Sequence, residues 1–113
     1  MIFSKTDKNH YTWGDNCDAW TLMQSDNIII KEEKMPPNTE ERLHFHDEVE
    51  QFFYIMNGKA SFLIEEKEYL VSKNEGIKVH SKASHKISNK GSEELHFLVI
   101  SLPGYSNDRV NVE

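Results

Sequence analysis

The sequence predicts an all-β fold, an antiparallel barrel or two-sheet jelly roll, on three observations. No segment sustains the 3.6-residue apolar period of an amphipathic helix. Short runs rich in Ile, Val, Phe and Tyr recur instead, each closed by turn residues. Nine such runs fit into 113 residues, which suits one small β domain over residues 1–113 and leaves no room for a second.

The first two runs, AWTLMQ and NIIIKEEKM, precede a turn at Pro36-Pro37-Asn38. The third, EERLHFH, ends at His46. The fourth, EQFFYIMN, is apolar on both faces, with Phe53 and Ile55 on one and Phe52, Tyr54 and Met56 on the other. Such a strand is expected in the middle of a sheet, covered on both sides. Asn57-Gly58 then reads as a hairpin turn into KASFLIE, with Gly58 at positive φ. KEYLV, GIKVH and HKISN follow, and NKGS leads into the last run, ELHFLVISL. The N-terminal strands within 1–35 and the polar tail PGYSNDRVNVE (103–113) are expected to pack outside the barrel.

Composition excludes several classes of function. Nineteen acidic against 13 basic side chains give a net charge of −6, without the basic footprint that nucleic acid or an anionic membrane requires. No apolar run approaches the roughly 20 residues of a spanning helix. The N-terminus carries charges where a signal peptide needs an apolar stretch. Cys17 is the one cysteine, so no internal disulfide forms. A cytoplasmic protein is expected.

The chemistry is expected in RLHFHDEVEQFFYIMNG (42–58). Residues i and i+2 of a strand share a face about 6.6 Å apart, so His44 and His46 stand side by side, with Arg42 and Glu40 on their face. Solvated histidines on a half-buried strand are the plain alternative. A strand covered on both faces requires partners for both rings, and a metal ion satisfies several imidazole nitrogens at once. His85, which opens HKISN, is a third donor that barrel closure brings to the same wall.

These residues resemble the cupin superfamily. Its first motif is Gly, five residues, His-x-His, three or four residues, Glu, six residues, Gly; here Asn38, TEERL, His44-Phe45-His46, DEVE, Gln51, FFYIMN and Gly58 keep that spacing. The second is Gly, five residues, Pro-x-Gly, two residues, His, three residues, Asn. Asn74, EGIKV, His80-Ser81-Lys82, AS, His85, KIS and Asn89 fill it. The motifs span 38–58 and 74–89 with fifteen residues between them. Asn38, Asn74 and Lys82 stand where the family has glycine, with Gly76 as an alternative source of the second turn. Gln51 stands where the family has a glutamate ligand.

The resemblance implies a cupin-type antiparallel β-barrel, a double-stranded jelly roll, with a divalent metal ion (Zn, Fe, Mn or Ni) on His44, His46 and His85. Gln51 is the implied fourth ligand, weaker because it is neutral; Glu50 is the alternative if a bulge re-aims it. Arg42 is a candidate anchor for a substrate carboxylate or phosphate, or else a surface salt-bridge partner of Glu40. No catalytic base stands out unless Glu50 or Glu40 reaches inward. His80 reads as a loop histidine, His10 as inert and His96 as a core or solvent histidine beside Leu98 and Ile100. Trp13, Trp20 and Cys17 read as packing residues. The expected function is that of a small-molecule metalloprotein for a sugar-like or oxo-acid ligand, as a metal-dependent isomerase or epimerase or a dioxygenase. The alternative is a non-catalytic binding or sensing module with a weak or absent metal. A homodimer is expected, through the exposed side of FFYIM or the N-terminal strands.

Overall fold

In the computed structural model, which describes residues 1–104 and 107–113, the chain alternates strands and turns. The first half forms β1 (His10–Trp13), β2 (Cys17–Gln24), β3 (Ile29–Met35), β4 (Thr39–Glu40), β5 (His44–His46) and β6 (Glu50–Asn57). The second half forms β7 (Lys59–Ile64), β8 (Lys67–Ser72), β9 (Gly76–Val79), β10 (His85–Asn89), β11 (Leu95–Leu102) and β12 (Arg109–Asn111). Among the described residues there is no helix, and so none long and apolar enough to cross a membrane.

The strands build two sheets. One has the order β1-β2-β3-β11-β6-β9, the other β12-β5-β10-β7-β8 with β4 also on β10. All nine expected runs contain strands. The third is interrupted, because residues 41–43 leave the ladder between β4 and β5. Alternation then sends Phe53 and Ile55 of β6 and Leu95, Phe97 and Val99 of β11 inward, where they meet Phe62, Val71, Val79 and Ile87. The Phe53 ring packs edge-on against Phe62 with centroids 5.0 Å apart. Full burial of each such side chain contributes about 1.5–3 kcal/mol.

Three expectations need correction. β6 is not covered on both faces: Phe52 is 41% exposed, and Tyr54 and Met56 are half-buried on the outer side of the sheet. Nor is Asn57-Gly58 a hairpin, since β6 and β7 lie in different sheets and the turn carries the chain across. Gly58 does take a positive φ of 81°. A Cβ there would sit 3.0 Å from the Glu94 carbonyl oxygen and 3.3 Å from Leu95 Cα. The true two-residue hairpin joins β7 to β8 through Glu65 and Glu66, at φ 48° and 71°, where the residue types gave no turn signal.

The two ends of the chain are also not outside the barrel. β1 and β2 extend the first sheet from β3. From the tail, β12 pairs with β5, matching Arg109 with His46 and Asn111 with His44. An unpaired edge on β5 would leave backbone groups of a buried strand without partners, and β12 supplies them. Tyr105 and Ser106 of that tail lie outside the described residues.

Gly58→Ala is expected to lower stability by about 1–3 kcal/mol in urea denaturation, through the left-handed backbone and the contact with Glu94. An unchanged midpoint would mean that the crossing turn accepts a side chain.

Candidate metal centre

β5 lies between β10 and β12, and its register sets His44 directly opposite His85. His46 follows two residues later on the same face. The three are buried, at 2%, 9% and 1% exposure for His44, His46 and His85. Their ring centroids are 4.3 to 6.0 Å apart. One ring nitrogen from each lies within 4.8 Å of the others.

Hydrogen bonds decide which nitrogens converge. His44 Nδ1 donates to the Arg42 carbonyl oxygen at 2.7 Å, and His85 Nδ1 to that of Ala83 at 2.9 Å. His46 Nδ1 donates to Asp108 Oδ1 at 2.9 Å, while Asp108 Oδ2 accepts from the backbone N–H groups of Glu48 and Val49. Carbonyls only accept, so in His44 and His85 the proton sits on Nδ1 and the lone pair on Nε2. Burial pushes the His44 ring down to about 3, helped by His85, Arg109 and His46. His85 is lowered for the same reason. Neutral rings with free Nε2 lone pairs are the form a metal ion requires.

Gln51 lies beside the three histidines. Its Nε2 donates to Ser101 Oγ at 3.1 Å, which turns Oε1 toward His85 Nε2 at 3.3 Å. Two acceptors then face each other across a gap that a cation would resolve. The donor set, three imidazole nitrogens and an amide oxygen, fits a divalent ion with positions left open. The three histidines are thus positioned to bind a metal ion.

Glu50 is not placed to serve instead. No bulge turns it, and its carboxylate lies 3.7 Å from Lys78 Nζ on the outer face. Arg42 is exposed and donates to the Glu113 backbone oxygen at 2.7 Å. It left the face of the histidines when residues 41–43 left the ladder. Glu40 pairs with Lys86 at the surface. His80 is exposed. His96 meets Glu32 at 2.8 Å on the outer side of the sheet, with Leu98 and Ile100, while Phe97 and Val99 point inward. His10 stacks on Trp20 and pairs with Asp18. Cys17 is wholly buried in the core, and burial raises its thiol.

His44, His46 and Gln51 line a cavity of about 310 Å³ whose other polar lining comes largely from residues that the sequence pattern did not single out. Glu33 enters from β3, where the register places it opposite Phe97 and Ala19. Glu41 enters from the interrupted segment and accepts from the Ile87 N–H at 3.2 Å. Arg109 enters from β12, with Nη1 4.0 Å from Glu41 Oε2. Trp13, expected only to pack, also lines the cavity, and its buried indole N–H stands beside Glu33 without a well-formed hydrogen bond. Both carboxyls border the cavity and are otherwise surrounded by protein. Burial pushes Glu33 up to about 7 against the pull of Lys31 and Arg109. Burial likewise pushes Glu41 up to about 8, with Arg109 opposing and Glu33 adding to the rise.

These shifts fix how stability depends on pH. Above the ordinary carboxyl value of 4.5 the unfolded chain releases two protons that the folded chain holds until about 7 and about 8, so stability falls across that window. Below the ordinary histidine value of 6.5 the unfolded chain gains a proton that folded His44 refuses until about 3, so stability falls as pH drops. The trends oppose each other between 4.5 and 6.5. Metal-free protein is therefore expected to be most stable there and to lose on the order of 1–2 kcal/mol toward pH 8 in urea titrations with chelator. Glu41→Gln should flatten that alkaline limb; a flat limb in the unsubstituted protein would contradict burial of a neutral carboxyl.

Comparison with known proteins places this geometry. The Cupin domain family model matches residues 31–101, which contain both motifs, the three histidines and Gln51. An uncharacterized protein of Methanocaldococcus jannaschii is 29% identical over 83 residues, covering 74% of this chain and 66% of that relative. The chain thus spans about two thirds of that relative's length. A structure from Thermotoga maritima described as a predicted oxalate decarboxylase superposes with a TM-score of 0.82 at 20% identity, covering 91% of this chain and 99% of that one. The polyketide cyclase RemF from Streptomyces resistomycificus superposes with a TM-score of 0.81 at 18% identity, covering 100% and 87%. At such identities the likeness is one of fold. With the family model spanning more than half of its length, the chain belongs to the cupin family.

Proposed function

We propose that the protein is a small-molecule metalloprotein that holds a divalent ion on His44, His46 and His85, with the Gln51 carbonyl oxygen as a weak fourth ligand. The observation that carries this reading is the commitment of every Nδ1 to an acceptor, which leaves three Nε2 lone pairs and Gln51 Oε1 converging on one point. Bound there, the ion would supply Lewis-acid polarisation of a ligand oxygen. The chain's own residues do the rest. Asp108 holds the His46 ring, and the Arg42 and Ala83 carbonyls hold the other two.

The ligand is a small polar molecule, sugar-like or oxo-acid, sized to about 310 Å³. The structural neighbours are described as a decarboxylase and a cyclase, activities on small polar molecules, and these support an enzyme over a structural barrel. Isomerisation would require a proton carrier, and Glu33 and Glu41, which line the cavity, are the candidates for it, whereas Glu40 and Glu50 pair with Lys86 and Lys78 away from the cavity. We place the protein in the cytoplasm as a homodimer, the outer face of the first sheet supplying the contact through Phe52, Tyr54 and Leu98. Light scattering showing a strict monomer at micromolar concentration would remove the dimer.

Mass spectrometry of metal content on untagged protein, purified without chelators, tests the site. Near-stoichiometric divalent metal is expected, lost in His44→Ala and in His85→Ala. Retention in both variants would show that the ion, if any, lies elsewhere. Gln51→Glu restores a charged ligand and should tighten metal binding about tenfold or more, each factor of ten being about 1.4 kcal/mol.

A further inference from the structure

We infer that Arg109, Glu41 and Glu33 form a subsite for a small carboxylic acid, whose carboxylate lies on the Arg109 guanidinium with the two glutamate side chains beside it. The inference deepens the proposed function and rests on it only in setting the other end of the acid toward the three histidines.

Three ionisable side chains from three separate segments, β3, the 41–43 interruption and β12, point into one cavity whose floor is Phe53, Phe97 and Val99. Their mutual contacts are incomplete. Arg109 Nη1 is 4.0 Å from Glu41 Oε2, at the outer limit of an ion pair and beyond a hydrogen bond. Arg109 Nε is taken by Asn111 Oδ1 at 3.1 Å, which aims the guanidinium without saturating it. Glu41 accepts from the Ile87 N–H. The Trp13 indole N–H is buried beside Glu33 without a well-formed hydrogen bond. The two glutamates turned inward cost stability, while the Arg109 side chain, 43% exposed, borders the same cavity with guanidinium donors left for a bound molecule.

Charge selects the molecule. Ionised glutamates would suit the hydroxyls of a neutral sugar, but both carboxyls are held toward their neutral forms by burial. That leaves the cavity with Arg109 and with Lys31, whose Nζ is tied to Tyr11 Oη at 2.7 Å. An anion is the complementary ligand, and a planar carboxylate matches the guanidinium fork. The groups facing Glu41 and Glu33 are Arg109 from β12, Lys31 from β3, Tyr11 and Trp13 from β1, Cys17 from β2, His44 and His46 from β5 and each other. A carboxylate on Arg109 offsets the positive charge that opposes the rise at Glu41 and so favours the protonated glutamic acid. Binding therefore takes up a proton, and it weakens as pH rises.

Pyruvate is the probe, titrated calorimetrically into the purified protein with its metal content measured in parallel. Affinity is expected to fall about tenfold between about pH 6.5 and about pH 8.5, with proton uptake visible as a buffer-dependent heat. Arg109→Met should weaken binding at least tenfold at the lower pH while metal content and melting temperature stay unchanged. Glu41→Gln should keep binding at the lower pH and lose most of the pH dependence. Failure of the protein to bind pyruvate at millimolar concentration would overturn the subsite, and so would full affinity in Arg109→Met. Metal content separates the two readings. Metal present with Arg109-independent binding sinks the subsite and spares the metal centre. Absence of metal together with Arg109-dependent, pH-dependent binding sinks the metal centre and sustains the subsite.

Discussion

The register of one three-residue strand governs the site. β5 places His44 opposite His85, and a slip by one residue would exchange both inward histidines for Leu43, Phe45 or Asp47. So short a strand cannot hold its register alone. It is clamped from one side by the Glu41 N–H on the Ile87 carbonyl and from the other by the Val112 N–H on the Leu43 carbonyl, at 3.1 and 2.9 Å. The Lys82 N–H adds a bond to the His46 carbonyl at 2.6 Å. The clamp on the tail side also delivers chemistry, because Asp108 and Arg109 arrive with β12. One orients His46, and the other charges the cavity.

The same strands change character along their length. On the inner face β11 runs from Leu95 through Phe97 and Val99 to Ser101, and β6 runs backward from Ile55 through Phe53 to Gln51. Beside β11 in the same sheet, β3 runs from Met35 through Glu33 to Lys31, and in the facing sheet β10 runs from Asn89 through Ile87 to His85. In β3, β6 and β11 the inner face is apolar toward one end of the barrel and polar toward the other. The apolar end, with Phe62, Ile55 and Leu95 at 0% exposure, supplies the burial that offsets the cost of ionisable groups at the polar end. The candidate site therefore sits at the polar end, next to an apolar floor of Phe53, Phe97 and Val99.

What the sequence made legible follows from how local each feature is. The paired histidines were readable because strand geometry alone puts residues 44 and 46 on one face. The motif glycine positions survive as backbone: Asn38, Asn74 and Lys82 take φ values of 64°, 70° and 69°, so the chain keeps the turns after losing the residue type that marks them. Glu33, Glu41, Asp108 and Arg109 were not readable. Within IIIKEEKM nothing local says which glutamate points inward; pairing with β11 decides it. Glu41 turns inward only because the strand breaks beside it, and that same break carries Arg42 to the surface. Asp108 reaches His46 across 62 positions of chain, a contact that no periodicity encodes.

Gln51 connects the metal donors to the cavity's choice of ligand. A carboxylate at that position would neutralise part of a bound ion's charge and repel an anionic ligand alongside it. The amide, held by Ser101, does neither. An ion held on neutral donors would keep its full charge, with the Asp108 carboxylate reaching the centre through the His46 ring. Arg109 and Lys31 line the same cavity, and burial holds both glutamates toward their neutral forms, so the cavity favours anions. The substitution that weakens the metal's hold thus makes the site more attractive to anions. Loss of the family's glutamate is, on this physics, a change of ligand preference as much as a loss of metal affinity.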